Sequence, residues 1–330
     1  MAGTPTMNDV AREARVGLKT VSRFVNGQTN IDPELADRIA TAIATIGYRR
    51  NLAAASIRPG WTSKTIGLVI SDLANPYYST LTREIESHAR DRGYLLISAS
   101  SDEDGAQHDR LVDRLMEQRI DALIVVPPRD AGRRWSTVPP PIPPLVFIDR
   151  PVDFPQADVI LADNAGGAHN AVSELIRNGA RNVAFVGDAL TIYTMRERYV
   201  GYVTALDEAG IECDPGIVST TAHRSDEAAA AVTQLMRAGS IDAVFAANNR
   251  ASIGSLQAFR EVGYRIPIIG FDDFEAATLM TPAVSIVSQD VREMGRLAAQ
   301  IVLDRLAGGV VEPAIHVLPT TLHLRGSELP

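Results

Sequence analysis

The 330-residue chain has a single cysteine, Cys213. No disulfide can form within it, which fits a reducing cytoplasm. The opening MAGTPTMNDVAREAR has no apolar h-region, so no secretory signal is expected. No stretch reaches the roughly 18 apolar residues that a membrane span needs, and no membrane partner is expected. Nucleotide signatures are missing too: no G-x-G-x-x-G follows a strand pattern and no G-x-x-x-x-G-K-[ST] occurs. The segment SDEDG, with Asp102, Asp104 and Gly105, is faintly like a calcium loop. It lacks the glutamate partner and reads as ordinary loop. Neither a metal nor a cofactor is expected. The chain also lacks a basic surplus, with 32 Lys and Arg against 40 Asp and Glu and a net charge of −8.

That net charge averages unlike parts. The first 60 residues carry eight basic and five acidic side chains, which leaves 24 basic and 35 acidic ones for the rest. A small basic head on a large acidic body suits a head that meets phosphate and a body that stays off it. With 330 residues, 45% of them hydrophobic, two or three domains with sizeable cores are within reach.

In the head, residues 8–27 read NDVAREARVGLKTVSRFVNG. Val10, Ala11 and Ala14 fall at helical spacing, and so do Val21, Phe24 and Val25. Val16 stands between the two patterns, placed to plug the gap. The second helix is left with an outward face of Leu18, Lys19, Ser22, Arg23 and Asn26. These side chains can donate to phosphates and base edges, and Leu18 offers apolar contact to a thymine methyl. That is the pattern of a helix-turn-helix whose second helix enters the major groove. On pattern alone, a helical hairpin with a solvated face fits equally well. A third helix follows, with Asp32 as N-cap, Pro33 at its first position, a stripe of Leu35, Ile39, Ile43 and Ile46, and Gly47 after its end. Residues 48–60, YRRNLAAASIRPG, are Ala-rich and basic. A helix of about 51–58, capped by Asn51 and closed by Pro59-Gly60, is too short to be stable alone in water. It needs DNA or a second copy of itself, unless the segment is only a linker.

From Lys64 the texture becomes that of a βαβ series. Thr65–Ser71, Tyr94–Ser98, Ala122–Val126 and Leu145–Asp149 are apolar runs, as strands buried on both faces require. Helices are expected at about Tyr78–Arg92 and Gln107–Gln118, and the proline cluster of residues 139–144 is loop. A second series has strands at Val183–Val186, Ile217–Thr220, Ala243–Ala246 and Ile266–Gly270. Its helices are expected at Ala168–Asn178, Tyr199–Ala209, Glu227–Arg237 and Ser252–Glu261. TIGLVISD and NVAFVGDA resemble each other, each a strand ending in Asp. Two similar α/β halves with a cleft between them follow. In open α/β sheets ligands sit beyond the carboxyl ends of the strands. The residues there are Asp72, Asn75, Tyr77, Tyr78, Asp149, Arg150, Asp163, Asn164, Arg198, Asn248, Asn249, Asp272, Asp273 and Gln289. Planar carboxylates, amides and guanidinium groups each pair two hydroxyls, as a sugar requires. Asp and Asn at strand ends also serve as plain helix caps.

Taken in order, these segments resemble the lactose/galactose repressor (LacI/GalR) family of bacterial regulators. DVAREARVGLKTVSRFVNG is similar to its helix-turn-helix signature, and SDLANPYYS, FIDR, RYVGYVTAL, AVFAANN, GFDD, VSQDVREMG and LPTTLHLRGS to its body. The resemblance covers almost the whole chain. It implies an all-α helix-turn-helix head, residues 1–60, on a two-lobed periplasmic-binding-protein-like α/β domain, residues 61–330. The N-subdomain would comprise about 64–161 and 290–318, and the C-subdomain about 162–289 and 319–330. It also implies a cytoplasmic homodimer that binds a pseudo-palindromic operator, most simply as a repressor, under control of a small sugar-like effector. By resemblance, Leu18, Lys19 and Ser22 read bases, with Thr20, Arg23 and Asn26 nearby, while Thr6 and Asn30 contact the backbone. Asn51, Ala54 and Ile57 occupy hinge-helix positions that enter the minor groove in the dimer. Tyr77, Asp149, Arg198, His223, Asn248, Asp272 and Gln289 match effector-contacting positions, with His223 where an aromatic usually stacks.

The chain departs from the family pattern at Arg15 (usually Gly), Gly17 (usually an N-cap Ser), Arg50 (usually Pro), Ile57 (usually Leu) and Asn249 (usually Asp). The alternatives are a solute-binding protein sharing the two-lobed body, or an enzyme acting on a sugar. The added head weighs against the first and the missing catalytic motifs against the second.

Overall fold

The computed structural model describes residues 4–28, 30–49, 62–129, 133–309 and 312–330. Two compact units divide the chain, the first ending at Ser63 and the second running Lys64–Pro330.

The first unit holds three helices, α1 (Met7–Ala14), α2 (Leu18–Val25) and α3 (Pro33–Ile46). Thr6 caps α1, its Oγ1 accepting from Asp9 N while the Asp9 carboxylate accepts from Thr6 N at 2.9 Å. Asp32 caps α3 with Pro33 at its first position, and Gly47 ends it at φ 67°. Val10, Ala14, Val21, Ile39 and Ala42 are buried together, with Val16, Phe24, Val25, Ile43 and Ile46 packed around them. Leu35, expected in the buried stripe of α3, is half-buried and outside this core; Ala42 takes a buried place instead. The expected hinge helix and its residues Asn51, Ala54 and Ile57 lie outside the described residues, as does Arg50.

The second unit contains two six-stranded sheets. The first sheet is built from β1 (Thr65–Ile70), β2 (Leu95–Ser100), β3 (Ala122–Val125), β4 (Leu145–Ile148), β5 (Asp158–Ala162) and β11 (Ile315–Leu318), in the order β11-β5-β4-β3-β1-β2. All its pairings are parallel. Helices α4 (Pro76–Asp91) and α10 (Val291–Leu306) cover one face, and α5 (Gly105–Glu117) lies on the other. The second sheet holds β6 (Val183–Val186), β7 (Val218–Ser219), β8 (Ala243–Ala246), β9 (Ile268–Phe271), β10 (Ser285–Gln289) and β12 (Thr320–His323), in the order β12-β10-β9-β8-β6-β7. Only β12, at its edge, runs antiparallel. Helices α6 (Asn164–Arg177) and α7 (Tyr193–Glu208) pack on one face, and α8 (Ser225–Arg237) and α9 (Asn249–Val262) on the other. The α6–α7 approach is close: a Cβ at Gly201 would lie 2.1 Å from the Ala165 carbonyl oxygen.

This explains the unbroken apolar runs. With helices on both faces, β3, β4, β6, β8 and β9 are buried along their whole length. The chain crosses between the two lobes after β5, after β10 and between β11 and β12. These three crossings set the carboxyl ends of the parallel strands of both sheets facing one cleft.

Candidate functional site

The head presents a short surface at α2. Leu18 and Lys19 are exposed, Leu18 to 45%. Thr20, Ser22 and Arg23 are half-buried and Asn26 is exposed. Gly17 stands at the N-cap and supplies no side-chain bond, a loss of only a few tenths of a kcal/mol relative to Ser. Arg23 braces the turn that follows, donating from Nε to Gln28 Oε1 at 2.9 Å and from Nη2 to Asn30 Oδ1 at 2.5 Å and Asn30 O at 2.9 Å. Asn26 Nδ2 donates back to Ser22 O at 2.6 Å. Thr6 is engaged as a cap, and Arg23 and Asn30 hold each other. Leu18 and Lys19 stand outward at the start of α2. Arg15, at the turn between α1 and α2, lies in the left-handed region at φ 51° and ψ 46°. Arg38 Nη2 holds that turn from α3 by donating to Ala14 O at 2.6 Å and Arg15 O at 3.1 Å.

The interlobe cleft has a volume of about 480 Å³, and all seven candidate effector residues line it. That size suits a small organic ligand. From the second lobe, Arg198 enters from α7 and is 2% exposed. Its Nη1 donates to Asp272 Oδ2 at 2.9 Å and to Ala247 O at 2.6 Å, and its Nε to Asn164 Oδ1 at 2.8 Å. The guanidinium lies 3.7 Å from the centre of the Phe271 ring. Gln289, at the end of β10, donates from Nε2 to Asp272 Oδ1 at 2.6 Å. Its Oε1 is buried without a partner among the described residues. Asn248 caps α9, so its Oδ1 is taken by Ala251 N at 2.8 Å, and its Nδ2 lies 4.0 Å from Met195 Sδ, which also lines the cleft. His223 Nδ1 lies 2.6 Å from Asp188 Oδ2.

The first lobe answers with Tyr77 and Asp149. Tyr77 OH lies 3.4 Å from Asp149 Oδ1. Asp149 follows β4 at φ 72° and Asp272 follows β9 at φ 67°, so the same uncommon turn aims a carboxylate inward from each lobe. Burial pushes the Asp149 carboxyl above the ordinary carboxylate range, and Arg150 and Arg198 pull the other way. Arg150 itself faces Glu103, with Nη2 at 2.6 Å from Oε1 and Nη1 at 2.7 Å from Oε2. Burial raises the Glu103 carboxyl, but the bonds and charge of Arg150 outweigh it and hold Glu103 below its ordinary value. Burial raises the hydroxyls of Tyr77 and Tyr78, which therefore stay protonated as donors.

Of the wider set of strand-end residues, Asp72, Asn75, Tyr78, Arg150 and Asn249 also line the cleft. Asp163 caps α6, Asn164 sits behind Arg198, and Asp273 pairs with Arg325, so these three do not line it. Sequence reasoning missed Glu103, Asp188, Arg224 and Arg250. Asp188 had a signal, since it follows the strand in NVAFVGDA as Asp72 does in TIGLVISD; both residues line the cleft. Among the described residues no His, Cys, Asp or Glu cluster is arranged to hold a metal, and no helix is long and apolar enough to cross a membrane.

Comparisons with known proteins agree with this arrangement. The family model described as bacterial regulatory proteins, lacI family, matches residues 6–51, and a periplasmic binding protein-like domain matches residues 172–328. The HTH-type transcriptional regulator CelR of Thermobifida fusca is 32% identical over 339 residues, covering 98% of each chain. The ribose operon repressor of Escherichia coli (strain K12) is 29% identical over 333 residues, covering 98% of this chain and 99% of that one. A solved structure of a transcriptional regulator CelR–cellobiose complex has 30% identity and a TM-score of 0.70, covering 98% of this chain and 99% of that one. These relatives are regulators, not enzymes.

Proposed function

Because the chain belongs to the lacI family of bacterial regulatory proteins, we propose that it is a cytoplasmic transcriptional repressor whose grip on DNA is set by a sugar or sugar derivative in the interlobe cleft. The observation that carries the effector reading is the braced triad of Arg198, Asp272 and Gln289 set opposite Tyr77 and Asp149. Its groups are planar, already oriented, and leave donors and acceptors for neighbouring hydroxyls. The match to a CelR–cellobiose complex and to a ribose operon repressor supports a saccharide.

In this reading the head, residues 1–60, docks α2 in the major groove. Leu18, Lys19 and Ser22 meet base edges; Thr20 and Asn26 lie close by; Thr6, Arg23 and Asn30 shape and flank the contact. The hinge residues Asn51, Ala54 and Ile57 engage the minor groove as a pair in a homodimer on a pseudo-palindromic site. Residues 64–161 with 290–318, and 162–289 with 319–330, act as the two lobes. A ligand that touches both lobes favours one of their relative arrangements and so shifts the dimer's DNA-binding equilibrium. A coupling of about 1–3 kcal/mol changes operator affinity roughly 5- to 150-fold.

The test begins with selection from random duplex DNA, using the whole chain and a chain lacking residues 1–60. A pseudo-palindrome enriched by the whole chain alone is expected. That site then serves as probe for a panel of saccharides that includes cellobiose and ribose, scored by a change in operator affinity. A whole chain that enriches nothing, with or without the panel, overturns the DNA reading. An enriched site whose binding no saccharide alters overturns the effector reading.

A further inference from the structure

The two lobes of the second unit touch across the cleft through side chains as well as through the three chain crossings. Asn249 Nδ2 donates to Asn75 Oδ1 at 2.9 Å. Arg129 Nη2 lies 3.3 Å from His223 Nδ1. Arg250 spans the gap between them: Nη2 pairs with the Asp72 carboxylate of the first lobe, and Nη1 donates to His223 O at 3.1 Å. Among the described residues this is the one ion pair that joins the lobes; every other pair closes within a lobe or within the head.

Local structure alone does not favour Arg250 where it stands. It is the second residue of α9, where a positive charge meets the positive end of the helix dipole. Asp72 answers that unfavourable placement. One of its oxygens is held by Ala74 N at 2.9 Å, which aims the other at Arg250. Both side chains are partly buried, 29% and 23% exposed, so salt screens them less than an open surface pair. Both also line the cleft, so a ligand seated in it shares the space with this pair.

We propose that Arg250 and Asp72, seconded by Asn249 and Asn75, form a latch that holds the lobes together across the cleft before any ligand binds. The latch sets the resting equilibrium between closed and open lobes, and with it the fraction of protein competent for the lobe-bridging state. A pair this exposed contributes up to about fivefold to that equilibrium. The latch deepens the effector reading of the cleft, yet its measurement needs no ligand, so the two can fail separately.

The experiment is electron–electron distance measurement on the full chain without ligand. Spin labels are placed at Arg114 on α5 and Glu261 on α9 in a Cys213→Ser background, and labelled chain is diluted into unlabelled chain to remove distances between protomers. Asp72→Asn and Arg250→Gln should each move population from the shorter to the longer distance by up to about fivefold. The double variant should move it no further than either single one, and 0.5 M salt should mimic part of the change. A charge exchange, Asp72→Arg with Arg250→Asp, should restore the shorter distance in part. Unchanged distributions in both single variants, or effects that add in the double variant, would overturn the latch. Thermal melting of each variant separates a loss of folding from a change in lobe equilibrium.

Discussion

Asp272 is the residue on which the cleft's second lobe turns, and its replacement tests the bonding described above. Its carboxylate accepts from Arg198 and from Gln289, and the Arg198 side chain is 2% exposed. Asp272→Ala leaves that guanidinium buried with only Asn164 Oδ1 and Ala247 O as acceptors. Removing one partner of a buried ion pair destabilises by about 3–5 kcal/mol. Asp272→Asn keeps one acceptor oxygen for Arg198 and lets the buried, unpartnered Gln289 Oε1 turn to accept from the new amide. It loses charge assistance alone, about 1–2 kcal/mol of the roughly 1.5–3 that a bond to a charged group contributes. At about 2–4 °C per kcal/mol, the alanine variant should melt roughly 6–20 °C below wild type and the asparagine variant roughly 2–8 °C below it. Calorimetry of the three proteins reads this directly. Both folded variants should still bind the selected operator, and Asp272→Asn should need far more saccharide to respond. An alanine variant that melts no lower than the asparagine one would refute the argument that Asp272 holds Arg198. A normal saccharide response in Asp272→Asn would refute its place in the effector site.

Lys19→Ala should cost about 1–3 kcal/mol of operator binding and relax the sequence preference at the base pair it reads, measured by repeating the selection and titration with the variant. Arg15→Gly removes a side chain from a left-handed turn and should stabilise the head by about 1 kcal/mol, read by hydrogen exchange in α1 and α2 of the whole chain. Glu103→Gln should melt below wild type at pH 7 and flatten the acid limb of stability. Glu103 is held below its ordinary value of 4.5 by Arg150, so its ion pair contributes fully above about 4.5 and is lost as pH falls through the lower folded-state value. Equal slopes for wild type and Glu103→Gln below pH 4.5 would contradict that pairing.

What the sequence makes legible, and what it hides, follows from the range over which each interaction acts. Apolar runs covered by helices on both faces announce β1, β3, β4, β6 and β8, because burial leaves no room for polar residues. Caps and turns are equally local: Asp32, Asn75, Asp104 and Asn248 each bond an amide two or three residues on. Helix α7 begins at Tyr193, six residues ahead of the apolar pattern at Tyr199, because its first turns bury Thr194 and Arg198 with Met195 as the one hydrophobic residue among them. The edge strand β11 alternates, with Ile315 66% and Val317 58% exposed, and four residues give periodicity little to grip. The site divides the same way. Asp149 and Asp272 stand at strand ends where the fold aims ligands, so their places could be read. Glu103 acts through Arg150, 47 residues away, and Arg250 through Asp72, 178 residues away. No local rule marks a glutamate in SDEDG or an arginine in NNRAS as cleft residues. Arg250 is even a poor choice for the start of a helix, and that misfit is itself informative. The misfit at the start of α9 is offset by a distant partner, Asp72, which sits on the other lobe.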